Sequence, residues 1–270
     1  MSTLQITLHD HFHLQYEGQA CGRHRWTCSF APPSTSVWTG RTKYLRISPT
    51  DPSCIALTLS TNLTPADSLS TVRPLSGFPR AMLLSILQKN VRRQRREETV
   101  RTSIQIMANL GFWELARRLC VINIEETVMH PDYAVLAWSM AAGREFVPPQ
   151  CLVDTVLQIA ADIASIPVRD PPSFSPEGAC LPQWTSSLPL PKCLLLRAFY
   201  RGMAGDIKML HASAQSWNKR LNRDPGLLEH IRRLYEPIEK LQEKEMGGMR
   251  RTDVPLAAID GGVSSVVGAM

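Results

Sequence analysis

The segment from Leu84 to Ala142 constrains the fold more than any other part of the chain. It opens on a basic run holding Lys89, Arg92, Arg93, Arg95 and Arg96. An amphipathic stretch follows and stops at Gly111. Ala116-Arg117-Arg118-Leu119 and the pair Glu125-Glu126 come next. His130-Pro131-Asp132 then restarts a helix with an alanine-rich end. Glycine just past a helix and proline just inside the next one punctuate consecutive helices. The pattern predicts a compact helical module that binds an acidic or a helical partner.

The same reading extends to residues 77–166 as a helical domain. Pro79 suits a first turn, and Met82, Leu83, Ile86 and Leu87 form one apolar face. Glu97 and Glu98 open a second helix, where acids favour the N-terminal dipole. Its face continues through Val100, Ile104 and Met107. A third helix over Trp113–Met129 turns Leu115, Leu119 and Ile122 inward. Pro131 starts a fourth, running to Gly143. Pro148 or Pro149 starts a fifth, with Leu152, Val156, Ile159, Ala160 and Ile163 on one side.

The flanks differ in composition. Residues 1–76 hold strand candidates at Gln5–Leu14, Thr42–Ser48 and Cys54–Ser60, separated by proline and serine turns. They read as a β-rich region or an arm. Residues 167–192 carry seven prolines, which argues against a helix and predicts a surface connection. Residues 193–246 read as helical again and pack on the helical domain. Arg201–Asp206 forms a tight corner there, with Asp206 as N-cap. Residues 247–270 read as a flexible tail. The expected architecture is mainly α: a multi-helix, bundle-like domain with a small β-rich N-terminal region.

Bulk numbers narrow the setting. The net charge is +6 over 270 residues, compatible with nucleic acid or an acidic partner and requiring neither. Seven cysteines lie without framework spacing, which suggests a reducing compartment. The sequence has neither a signal-peptide-type apolar run at its start nor a stretch of about 18 apolar residues. The expectation is a soluble protein of the nucleus or cytoplasm, without membrane association.

Each motif has a plain and a functional reading. The basic run can contact phosphates or serve as a solvated face partly neutralised by Glu97 and Glu98. On one continuous helix Lys89, Arg92, Arg93 and Arg96 share a side, which favours binding. Glu114 pairs with Arg117 or Arg118 at helical spacing, and Glu126 reaches His130. His9, His11 and His13 alternate as on one strand face, with Cys21 and Cys28 close behind. These five are weak zinc candidates, because their spacing matches no strong template. The chain has no Gly-Lys dipeptide, no Gly-x-Ser-x-Gly elbow and no His-Glu-x-x-His. No catalytic residues and no cofactor are expected.

Ala116-Arg117-Arg118-Leu119, Glu125-Glu126 and His130-Pro131-Asp132 together resemble the C-terminal helical region of the MgsA/RarA family. These are replication-associated AAA+ proteins related to clamp loaders and to the Werner-helicase-interacting protein. Lys89-Asn90-Val91-Arg92 and Pro148-Pro149-Gln150 extend the resemblance to residues 84–165. Thr127 stands where that family usually has glycine, and no Walker motif is present. The resemblance implies a non-enzymatic oligomerisation or docking module of a DNA replication or repair assembly. The expected partners are nucleic acid and proteins, including further copies of the chain. A structural adaptor of a protein-only complex is the alternative.

Overall fold

The computed structural model describes residues 13–20, 23–29, 37–41, 43–46, 54–61, 63–68, 77–170 and 189–245. The described chain is mainly α. Eight helices occur among the described residues: α1 Arg80–Arg92, α2 Arg96–Leu110, α3 Phe112–Glu126, α4 Tyr133–Ala142, α5 Gln150–Ile163, α6 Pro189–Phe199, α7 Ala204–Arg223 and α8 Leu227–Glu245. The strands are β1 His13–Ala20, β2 Arg23–Ser29, β3 Trp38–Thr39, β4 Lys43–Arg46 and β5 Cys54–Thr61.

The strands form one mixed sheet. β1 and β2 make an antiparallel hairpin whose register shifts between Tyr16 and Gly18. β2 runs parallel to β5, and β3 and β4 both pair antiparallel with the other edge of β5. Thr39 sits opposite Ser60 and Lys43 opposite Leu57, so the two short strands pair along one edge of β5. Leu57, Leu59 and Thr61 are buried at alternate positions and turn toward the helices.

α4 is the centre of the molecule. All ten of its residues are buried, including Trp138 and Tyr133. A helix apolar all round has to be enclosed on every side. The sheet covers one part: Trp138 Nε1 donates to Ser60 O at 3.2 Å, and Trp138, Trp38 and Phe146 pack edge to face. Lys43 Nζ donates to Ala141 O at 2.9 Å and Ala142 O at 3.3 Å. A lysine borrowed from the sheet thus satisfies carbonyls left open at the end of α4. Burial lowers the Lys43 pKa, and Glu145 offsets part of that.

Gly111 closes α2 and opens α3 at φ +99°, and an added Cβ would press on the Trp113 ring. The inward sets on α3 and α5 are all buried. On α1 the buried positions are Leu83, Leu87, Asn90 and Val91, while Met82 is exposed. The apolar face of α1 is therefore rotated away from Met82.

The starts of α6 and α7 differ from the sequence reading. α6 begins at Pro189, inside the stretch whose prolines argued against a helix. Pro189 and Pro191 lie in its first turn, where a missing N–H costs nothing and the fixed φ helps. α7 begins at Ala204, with Met203 at the N-cap, so Asp206 is a first-turn acid rather than the cap. Arg201, at φ +58°, makes the corner between α6 and α7.

Candidate functional site

The basic run does not lie on one helix. α1 ends at Arg92, and the chain turns through Gln94 at φ +56°. Arg93 N donates to Lys89 O, Gln94 N to Val91 O and Arg95 N to Asn90 O, which close the helix end. The buried Asn90 side chain donates to Glu98 O and Thr102 Oγ1 and ties α1 to α2. Lys89 and Arg92 therefore end one helix, Arg93 and Arg95 sit in the turn, and Arg96 begins the next. The shared side expected for Lys89, Arg92, Arg93 and Arg96 is not formed.

Arg92 does structural work instead. Its Nε lies 3.1 and 3.0 Å from the two oxygens of Glu126, and its Nη2 lies 2.5 Å from Oε1. Gln88 Nε2 donates to Glu126 Oε1 and to Glu125 Oε2, both at 2.9 Å. Arg169 Nη2 donates to Arg92 O at 3.3 Å and lies 3.7 Å from Glu126 Oε2. Arg118 donates to Gln88 Oε1. The Glu126 side chain is 3% exposed, against 54% for Arg92 and 53% for Arg169. Burial pushes the Glu126 carboxyl up. The hydrogen bonds from Arg92 and Gln88, with the charges of Arg92 and Arg169, outweigh it and hold the group below its ordinary value.

The other pairings expected from helical spacing are replaced by long-range ones. Glu114 is buried and meets Arg80 of α1 rather than its neighbours on α3. Arg117 donates to Arg201 O at 3.0 Å. His130 faces away from Glu126: its Nε2 lies 3.5 Å from Asp162 Oδ2 and its ring packs on Tyr235. His130 N donates to Asn123 Oδ1, and Asn123 Nδ2 donates to Thr127 Oγ1 and Val128 O. This network builds the corner between α3 and α4. Thr127 is an anchor of that corner.

Glu126 lines a cleft of about 550 Å³ between the ends of α1 and α3, one face of α7, and Arg169-Asp170. Met209, Ala212, Ser213, Ser216 and Trp217 form the α7 wall at helical spacing. Met129 and Ile124 complete the apolar part. Arg220 pairs with Asp170 at 2.5 Å and lies over the Trp217 ring, 4.1 Å from its centroid.

Lys89, Arg93 and Arg95 are exposed and have no ion-pair partner among the described residues, whereas Arg96 is half-buried and engaged. His9, His11 and Cys21 lie outside the described residues. His13 lies in β1 opposite Ser29, and Cys28 lies in β2 opposite Leu14. No group of three His, Cys, Asp or Glu residues suited to a metal ion occurs among the described residues. No described helix is long and apolar enough to cross a membrane.

Sequence reasoning missed the cleft. Its α7 wall has a readable period, but Gln88, Arg92, Glu126 and Arg169 come from three distant segments with no local signal. Comparison with family models, curated proteins and solved structures finds no match for this chain.

Proposed function

We propose that this chain is a non-enzymatic binding and oligomerisation module that docks on a polyanionic partner within a nucleic-acid-associated assembly. The observation that carries the reading is the corner between α1 and α2. There Lys89 at the end of α1 and Arg93 and Arg95 in the turn after it are exposed and without an ion-pair partner among the described residues, beside the tie that Asn90 makes to α2. Charge held on a rigid corner contacts phosphates at a small ordering cost. The resemblance over residues 84–165 supports a place in DNA replication or repair.

The test is anisotropy with labelled single- and double-stranded DNA and RNA across a salt series. The K89A/R93A/R95A variant should bind more weakly. On duplex DNA its salt slope should be shallower by about 0.9 for each phosphate contact removed. Unchanged affinity and slope would remove the corner from the account.

A second reading, an adaptor in a protein-only complex, is supported by Phe78 and Met82. Each is 46% exposed at the start of α1. Retained association with proteins, with no nucleic-acid affinity at low salt, would select it.

A further inference from the structure

We propose that the cleft beside Glu126 is a binding site for an uncharged small molecule with an apolar body and one hydrogen-bonding edge. The body lies against Met129 and Met209, and the edge meets the hydroxyls of Ser213 and Ser216. This site is separate from the Lys89–Arg95 corner and stands whether or not that corner binds nucleic acid.

The charges select against an ionic occupant. Arg92 and Arg169 meet Glu126, and Arg220 meets Asp170. Burial pushes the Glu125 carboxyl up, and Asp206 and Glu126 add to that against the fields of Arg118 and Arg92. Guanidiniums and carboxylates therefore balance in and around the lining. Their hydrogen bonds are spent on one another as well. The Gln88 amide gives its nitrogen to Glu125 and Glu126 and its oxygen to Arg118. An added charge would shed its water and find no free counter-ion among the described residues of the cleft.

The rest of the lining selects the body and the edge. Ile124, Met129, Met209 and Ala212 are apolar, and thioethers adapt to a body of irregular shape. Ser213 and Ser216 lie about one turn apart on α7 and line the same cleft. Ser103 and Ser165 close their hydroxyls onto the carbonyl four residues back. Ser213 and Ser216 do not, and their hydroxyls have no hydrogen-bond partner among the described residues. Each is left able to donate and to accept. The volume of about 550 Å³ lies within the range of sites that enclose a small organic molecule. Matched charges, an apolar floor and two open hydroxyls together fit a neutral ring system bearing a hydroxyl, carbonyl or amide.

The experiment uses the full chain with carbon-13 methionine methyls, followed by nuclear magnetic resonance. Three probes share one body: naphthol, naphthoate and naphthylmethylammonium, which are neutral, anionic and cationic at neutral pH. Naphthol should move the methyls of Met129 and Met209 saturably and leave the buried Met140 on α4 in place. Each charged probe should bind at least about tenfold more weakly, because its charge is unmatched in the cleft. Ser213→Ala combined with Ser216→Ala should weaken naphthol about fivefold, the size expected of one hydrogen bond. The same variant should leave the affinity for methylnaphthalene, which lacks the hydroxyl, unchanged. Ser213→Phe fills the cleft from α7 and should abolish the shifts. Circular dichroism verifies that each variant is folded, and the alanine variant alone decides the matter if Ser213→Phe is not. The proposal is overturned by absence of a saturable shift with naphthol, or by equal or tighter binding of either charged probe. It is also overturned by unchanged naphthol affinity in the alanine variant, or by persistence of the shifts in a folded Ser213→Phe.

Discussion

The two ends of α3 carry the same device in different surroundings. Near its start, the buried Glu114 meets Arg80 from the start of α1. At its end, the buried Glu126 meets Arg92 from the end of α1. Both pairs span 34 residues, so α1 and α3 lie parallel and in register. The first pair stands on one arginine. The second has Gln88 as an additional donor and Arg169 as a second cation 3.7 Å away, and it opens onto a cleft. One end fixes the helices through a single ion pair, and the other through a carboxylate shared by several partners.

The comparison can be broken most severely by stranding the carboxylate of the richer end. Replacing Arg92 and Arg169 together by Leu leaves Glu126 buried without a cation. The expected loss is about 3–5 kcal/mol in urea denaturation. Arg80→Leu at the simpler end should cost about 2 kcal/mol, because the arginine it removes is half-exposed and partly screened. Arg92→Leu alone should cost less, about 1 kcal/mol, since Arg169 and Gln88 still face Glu126. Equal losses for Arg80→Leu and Arg92→Leu would show that the additional donors give no redundancy.

Acid sharpens the contrast. The folded-state pKa of Glu126 lies below its ordinary value of 4.5. Its contribution to stability is therefore complete above the unfolded value and is lost as pH falls through the lower folded value. The stability gap between the wild type and Glu126→Gln should narrow as pH falls from the ordinary carboxylate value of 4.5 through the lower folded value. A gap independent of pH in that range would contradict the pairing. The smallest stability effect belongs to K89A/R93A/R95A, which touches exposed side chains and should stay within about 0.5 kcal/mol.

Much of the fold was legible because local punctuation decided it. Gly111 marks a helix boundary through its positive φ, and Pro149 precedes α5 at the N-cap. The buried sets of α3 and α5 follow from a 3.6-residue period. The end of α1 was not legible, because Gln94 takes the left-handed conformation that glycine or asparagine usually signals. Reading through it placed four basic residues on a face that does not exist. The helical segment before Lys192 was hidden because prolines that end a helix elsewhere begin one here. The cleft was illegible for a different reason: charges 34 and more residues apart meet only after packing. Helical spacing offered Glu114 and Glu126 nearby partners, and tertiary contacts supplied better ones.

The most direct test of the account compares Arg92→Leu with K89A/R93A/R95A in one experiment that reads both urea midpoint and nucleic-acid affinity. The account predicts that Arg92→Leu mainly lowers the midpoint, while K89A/R93A/R95A lowers affinity and salt slope at an unchanged midpoint. Full affinity in K89A/R93A/R95A, with most of it lost in a folded Arg92→Leu, would contradict the division between structural and binding arginines.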